Sequence, residues 1–120
     1  MKIDKFEDIE AWKEARLLVN EIYNYFRNIK DYGFKDQLQR AAISIMNNIA
    51  EGFDAGSDKL FIRYLHCAKA SCGEVNSMLY LCEDLNYADK DKIKKKKEVP
   101  SAECRVPSAE KANYEHETKK

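Results

Sequence analysis

Polar residues recur at helical spacing in the middle of this sequence and are the first candidates for a functional site. Arg40, Ser44, Asn47 and Glu51 are separated by four, three and four residues, which places their side chains along one face of a helix. Such a hydrogen-bonding strip suits docking to another protein chain. The pattern is equally typical of a solvent-exposed face with a weak Arg–Glu network, worth roughly a few tenths of a kcal/mol per pair. With Asn48, these residues form a candidate interface or docking stripe.

Catalytic and metal-binding chemistry has few candidates in the sequence. Glu51 and Glu74 are conceivable as an acid–base pair, but no other polar groups converge with them. His66 and His116 are the only histidines, so a His-based metal site or catalytic triad lacks members. No phosphate-binding loop or dinucleotide-binding fingerprint occurs. The sequence therefore predicts a non-enzymatic protein without a cofactor, a bound metal or a small-molecule substrate.

Composition favours a single soluble domain in a reducing compartment. The 120 residues are 44% apolar and 35% charged. No apolar run reaches the roughly 20 residues of a membrane span, and the N-terminus lacks the apolar stretch of a signal peptide. Cys67, Cys72, Cys82 and Cys104 form no CxxC pair, so buried reduced thiols are expected rather than disulfides or a metal set. We expect a cytoplasmic protein that does not enter membranes.

Charge is divided unevenly between two parts of the chain. Residues 1–88 contain 11 Lys/Arg and 14 Asp/Glu, a net charge of −3, whereas residues 89–120 contain 10 and 7, a net charge of +3. An acidic body argues against nucleic-acid binding through the folded part. A solubilising tail without a specific partner explains the basic end of the chain, but so does a phosphate-contacting run at Lys94, Lys95, Lys96 and Lys97.

Three segments have the apolar periodicity of amphipathic helices, and no segment alternates like a strand. In the first, apolar residues from Trp12 to Ile29 repeat every three or four positions after a candidate N-cap at Asp8, and KDYG (30–33) predicts a turn whose Gly33 suits a left-handed cap. The second begins near Phe34 and has an apolar arc of about 200°, wider than the ~100° stripe of a surface helix. Such a helix is either central in a bundle or shared with another subunit.

The third helix is predicted to begin after Ser57 as N-cap and to bury a seam from Phe61 to Cys82. Gly73 in its middle costs up to about 1 kcal/mol relative to alanine, which a close approach to another helix would compensate. After Tyr87 the periodicity stops, and VPSAE occurs twice, at 99 and at 106. Because its prolines forbid a continuous helix, we divide the chain into a helical body (1–88) and a tail (89–120) that is disordered or partly helical.

Three blocks of the sequence carry a resemblance that spans residues 6 to about 88. They are FEDIEAWKEA (6–15), YGFKDQLQRAAISIMNNIAEG (32–52) and GSDKLFIRYLHCAKASCGE (56–74). They resemble the four-helix-bundle family of 23S rRNA intervening-sequence proteins. Gln39, Met46 and Asn47 depart from the motif of the family, where Arg, Pro and Ser are common. The residues that match it are Arg40, Ala41, Ser44, Ile45, Asn48, Ile49, Ala50, Glu51 and Gly52.

The resemblance implies an antiparallel bundle that assembles into a homopentameric ring, with no established enzymatic activity. A related protein, the accessory variability determinant of diversity-generating retroelements, is a basic pentamer that binds a reverse transcriptase and nucleic acid. The acidic body and the loss of the first motif Arg weaken such a role here. The fourth helix of the family would begin near residue 88, where this chain has lysines and Pro-containing repeats, so we expect a short, degraded fourth helix.

These observations lead to one expectation and two alternatives. We expect an all-α, antiparallel up-and-down bundle of three long helices and a degraded fourth, which forms oligomers through its second helix. Its expected role is non-enzymatic assembly or adaptor function, with RNA or a ribonucleoprotein as a candidate partner of the cationic tail. The alternatives are a nucleic-acid-binding accessory protein of a reverse transcriptase, and a relic with a damaged C-terminus and no function.

Overall fold

Three α-helices form the body of the protein, as the sequence predicts. The computed structural model describes residues 3–88, and no strand occurs among them. The all-α class is therefore confirmed. The degraded fourth helix and the tail that the sequence predicts fall outside the described residues. In chain order the elements are a short 3-10 helix at Phe6–Asp8, α1 at Glu10–Tyr25, α2 at Tyr32–Asp54 and α3 at Asp58–Asp84.

The start of α1 differs from the prediction that Asp8 is its N-cap. Asp8 lies inside the short 3-10 helix, and its N–H donates to the Lys5 carbonyl at 3.1 Å. Ile9 occupies the capping position with extended backbone angles and no side-chain cap. Its side chain is buried, so an apolar anchor rather than a polar cap fixes the entry into α1.

α2 begins at Tyr32, two residues before the predicted start, because Asp31 caps it. The Asp31 carboxylate accepts a hydrogen bond from the Phe34 N–H at 3.2 Å, which satisfies one of the free N–H groups of the first turn. Gly33 therefore lies inside α2, and the prediction that it forms a left-handed cap at the end of α1 is wrong.

α2 is the central helix of the body. It packs against both α1 and α3, whereas α1 and α3 scarcely contact each other. The half-buried Met46 and Ala50 widen its apolar arc on the flank opposite Ser44, which contacts α3. Two neighbours within one chain thus account for the arc. Its buried residues are Phe34, Leu38, Ala41, Ala42, Ile45, Ile49, Gly52 and Phe53.

The beginning and the buried seam of α3 are confirmed. Gly56 has a φ of 92°, and the next residue, Ser57, accepts a hydrogen bond from the Leu60 N–H at 3.2 Å. Each residue of the predicted seam is at most 2% exposed, which packs α3 firmly onto the rest of the core. The seam consists of Phe61, Leu65, Ala68, Cys72, Val75, Leu79 and Cys82.

α3 ends in a Schellman motif that turns the chain back toward α2. Asn86 has a φ of 58°, a left-handed conformation that Asn adopts more readily than most residues. The N–H groups of Asn86 and Tyr87 donate to the carbonyls of Glu83 and Cys82, at 3.1 and 3.0 Å, the two bonds that define this motif. The motif fixes the position of Tyr87, the first aromatic residue beyond the helix.

A close approach between two helices occurs at Gly52 and not at Gly73. A Cβ built on Gly73 would meet no atom within 4 Å, so the predicted tight contact there is wrong. A Cβ on Gly52 would lie 2.6 Å from Tyr64 Cβ and 3.0 Å from Phe61 Cδ1. The α2 backbone therefore packs directly against the first two turns of α3, near the connection between the two helices.

The three described cysteines form no disulfide with one another, and only two of them are buried. Cys72 and Cys82 are fully buried, as predicted, whereas Cys67 is exposed. Burial, with the nearby negative charge of Glu83, raises the pKa of the Cys82 thiol to about 11. The prediction of buried thiols is thus wrong for Cys67, and Cys104 lies outside the described residues.

Candidate functional site

Two residues of the predicted stripe, Ser44 and Asn48, lie at the contact between α2 and α3. The Ser71 hydroxyl donates to Ser44 Oγ at 2.8 Å, and Asn48 Nδ2 donates to the same oxygen at 3.0 Å. Asn48 Nδ2 also lies 2.8 Å from the Ser44 carbonyl oxygen, which accepts from it. All three side chains are half-buried, and their bonds join the two helices within one chain.

A further hydrogen bond joins α2 to α3 nearer the start of α2. Gln37 Nε2 donates to Glu74 Oε2 at 3.2 Å, and both side chains are exposed. Gln37 precedes Ser44 by seven residues, two helical turns, so the two side chains lie on the same flank of α2. The pairing of Gln37 with Glu74 and of Ser44 with Ser71 shows that α2 and α3 are antiparallel. We call these four residues, together with Asn48, the polar seam.

The other three residues of the predicted stripe face solvent. Arg40 Nε donates to Asp36 Oδ2 at 2.9 Å, one helical turn away, and the two side chains are 79% and 62% exposed. A pair this exposed contributes at most about 0.5 kcal/mol. Asn47 and Glu51 are exposed on the same side of α2. The stripe therefore divides into two seam residues and three outer-face residues, and its docking role stays a prediction.

Glu51 and Glu74 do not converge, so the structure offers no acid–base pair at these positions. Glu74 is bonded to Gln37, which lies fourteen residues before Glu51 on α2. At 1.5 Å per residue this places the two carboxylates roughly 21 Å apart along the helix. In the part of the chain that the structure describes, no cluster of three or more His, Cys, Asp and Glu side chains has the arrangement of a metal site.

The candidate phosphate-contacting lysines, Lys94 to Lys97, lie outside the described residues, and their role stays a prediction. Within residues 3–88, none of the helices combines the length and the apolar character that crossing a membrane requires.

A contact without a signal in the sequence joins the start of α2 to the segment that follows α3. Asp31 Oδ1 caps α2, and Asp31 Oδ2 accepts a hydrogen bond from the Tyr87 hydroxyl at 2.7 Å. The rings of Tyr87 and Phe34 pack edge to face, with centroids 5.2 Å apart. The hydrogen bond to the carboxylate raises the pKa of Tyr87, since it holds the phenolic proton. We call this contact the Asp31–Tyr87 clasp.

α1 also presents a surface that the sequence analysis did not single out. Lys13, Arg16 and Asn20 surround Leu17, which is 63% exposed, at a shallow concavity that Trp12 also lines. The Arg16 guanidinium lies 5.7 Å from the centroid of the Trp12 ring. Asn20 Nδ2 donates to the Arg16 carbonyl at 2.9 Å. We call Lys13, Arg16, Leu17 and Asn20 the cationic face of α1.

Comparison with known proteins assigns this helical body to one family. The family model for 23S rRNA-intervening sequence proteins matches residues 7–100. The matched region contains all three described helices and the polar seam, and it extends beyond the resemblance predicted to end near 88. No curated protein matches the chain. The family is of unknown function and is not known as a family of enzymes. Since the match covers most of the sequence, this chain belongs to the 23S rRNA-intervening sequence protein family.

Proposed function

We propose that this chain is a non-enzymatic assembly or adaptor protein that works as a homo-oligomer. The observation that carries the proposal is the number of large apolar side chains left at the surface of a single chain. Isolated apolar residues are normal on protein surfaces, but here they occur on all three helices, with exposures between 38% and 68%. They are Leu17, Tyr23, Tyr32, Leu60, Ile62, Tyr80, Leu81 and Leu85.

The packing of the helices supports the same proposal. α3 buries one flank against α2, and it scarcely contacts α1. Ile62 and Tyr80, 42% and 60% exposed, share its opposite flank. Leu81 and Leu85, one turn apart, add a second exposed apolar pair. Covering apolar surface contributes roughly 25 cal/mol per Å², so association of several chains would stabilise these flanks.

Five subunits are the stoichiometry that we propose, on the strength of the family resemblance. The non-enzymatic part of the proposal follows the family, which is not known as a family of enzymes. In the proposed adaptor role, the partner would bind near Arg40 and Asn47, which are exposed on α2.

Sedimentation velocity and native mass spectrometry of the purified chain test this proposal. We expect a species at five times the 14.0 kDa chain mass, stable to dilution through the micromolar range. Ile62→Ser combined with Tyr80→Ser should shift the distribution toward smaller species, and circular dichroism checks that the variant stays helical. A wild-type mass near 14 kDa at micromolar concentration would contradict homo-oligomeric function.

RNA contact through the lysines at 94–97 is a second candidate function. It is supported by the separation of charge along the sequence, with −3 in residues 1–88 and +3 in residues 89–120. Phosphate contacts by lysine are independent of RNA sequence, so such a tail would supply affinity and the assembled bodies would supply several tails at once.

A further inference from the structure

The cationic and the acidic side chains of α1 lie on opposite sides of Leu17. On a helical wheel, Lys13, Arg16 and Asn20 lie to one side of this exposed leucine. The glutamates of the helix, at 10, 14 and 21, lie to the other side. One of them, Glu10, still reaches Lys13, whose Nζ lies 3.5 Å from Glu10 Oε1 in an exposed pair. The cationic face of α1 therefore places Lys13 and Arg16 beside an apolar side chain that is 63% exposed.

The exposed Leu17 favours a protein over a nucleic acid as the partner of the cationic face of α1. Leu17 is 63% exposed and stands beside Lys13 and Arg16. A phosphate backbone would pair with the two cations but would leave the apolar side chain in water. A protein surface both supplies carboxylates and removes the leucine from water, which is the arrangement of an apolar contact with a charged rim.

The chain itself carries a matching acidic surface on α2. Glu51 and Asp54 are exposed, three residues apart, on the outer face of that helix. Neither takes part in an ion pair with another described residue. Lys13 and Arg16 are also three residues apart on α1, so each pair spans about one helical turn, with Cβ atoms roughly 5–6 Å apart.

We infer that the cationic face of α1 binds the Glu51–Asp54 pair on α2 of a second copy of this chain. The inference rests on the proposed homo-oligomer and names its contact surfaces. Because the two surfaces lie on different helices, the contact is heterologous: each copy offers one half to one neighbour and the other half to the next. Repetition of this contact generates a ring or a filament, not a two-fold dimer.

Charge reversal on each surface, separately and together, tests the pairing in the full chain. Lys13→Glu with Arg16→Glu places four carboxylates in one contact, and Glu51→Lys with Asp54→Lys places four cations there. We expect each double variant to weaken association by about tenfold or more, seen as a shift toward 14.0 kDa in sedimentation velocity. The fourfold variant restores opposite charges and should recover the wild-type mass.

Lys5→Glu with Lys30→Glu is the matched control for the Lys13→Glu, Arg16→Glu variant, since both lower the net charge by about four units and Lys5 and Lys30 are exposed outside both surfaces. The control variant should keep the wild-type mass, and circular dichroism should show unchanged helicity in all variants. An oligomer that survives both double reversals overturns the pairing but leaves the proposed function standing. A wild-type monomer overturns both.

Two further outcomes would also overturn the pairing. One is a fourfold variant that stays dissociated, because the two surfaces would then not face each other. The other is loss of binding to a single-stranded RNA oligonucleotide in the Lys13→Glu, Arg16→Glu variant while its mass stays that of the wild type. That result would assign the cationic face to a nucleic acid.

Discussion

Tyr87 and Asp31 are 56 residues apart in the sequence and are joined by a hydrogen bond of 2.7 Å. The carboxylate of Asp31 uses one oxygen for this bond and the other to cap α2 at the Phe34 N–H. The Tyr87 ring in turn packs against the ring of Phe34. A single carboxylate thus contacts both the first turn of α2 and Tyr87, the third residue after the end of α3. It therefore links the start of one helix to the end of another.

Removal of the Tyr87 hydroxyl should destabilise the body modestly. We expect Tyr87→Phe to lower the free energy of unfolding by less than Asp31→Ala does, because the bond is charge-assisted but its carboxylate is exposed. Asp31→Ala should cost about 2 kcal/mol, since it removes an N-cap as well. Urea unfolding followed by circular dichroism measures both values.

A double-mutant cycle gives the decisive comparison for the clasp. Tyr87→Phe should have almost no further effect in the Asp31→Ala background. The control is Tyr23→Phe, at an exposed tyrosine on α1, which should change the free energy of unfolding by less than about 0.5 kcal/mol. Additive effects of the two clasp substitutions would mean that the hydrogen bond does not stabilise the protein.

Alanine substitutions at Gly52 and at Gly73 should have opposite effects. At Gly52 the new methyl group would lie 2.6 Å from Tyr64 Cβ, so Gly52→Ala should destabilise the protein by about 1–3 kcal/mol through overpacking. At Gly73 the methyl group meets open space, and Gly73→Ala should stabilise α3 by up to about 1 kcal/mol through helix propensity. Thermal and urea unfolding of both variants measure the difference. Equal stability of the Gly52→Ala variant and the wild type would show that the two helices are not in close contact there.

The features that the sequence predicts correctly depend on periodicity and on contacts within one turn. The buried seam of α3 follows from apolar residues that recur every three or four positions. The cap at Ser57 follows from a contact between residues three apart along the chain. The wide arc of α2 likewise predicts a helix with two neighbours. None of these features requires knowledge of how the helices are aligned with one another.

The features that the sequence does not reveal depend on the relative alignment of α2 and α3. The bonds of Gln37 to Glu74 and of Ser44 to Ser71 follow from an antiparallel register that neither helix encodes alone. The clasp, between residues 56 apart, likewise had no local signal beyond Asn86, a residue type that favours a left-handed helix end. For Gly73 a signal was present: its position on the wheel lies well away from the α3 seam, which places it in solvent.

The lysine run at 94–97 should make RNA binding strongly dependent on salt. If these residues contact phosphates, the logarithm of the binding constant should fall with the logarithm of salt concentration by about 0.7 per phosphate on a single strand. Replacement of all four lysines by glutamine should then lower affinity and reduce that slope, in fluorescence anisotropy with a labelled RNA oligonucleotide. The control replaces four lysines of the body, Lys5, Lys30, Lys59 and Lys69. Unchanged affinity in the first variant would contradict the tail as the RNA-binding element.

The buried thiol of Cys82 should make the protein less stable in alkali. Burial and the charge of Glu83 raise its pKa from 9.0 to about 11, so the unfolded chain loses this proton at lower pH than the folded chain. Between these values the folded state binds more protons, and the free energy of unfolding must fall as pH rises from 9 to 11. Below pH 9 this contribution is fully retained.

Urea unfolding under reducing conditions at several pH values measures the contribution of Cys82. The decline in stability between pH 9 and 11 should be smaller in the Cys82→Ala variant than in the wild type. Cys67→Ala removes an exposed thiol and should keep the wild-type decline. Tyr87→Phe separates the second alkaline contribution, because the clasp raises the pKa of that phenol in the same direction. An equal decline in the wild type and in Cys82→Ala would show that the thiol is not held protonated by burial.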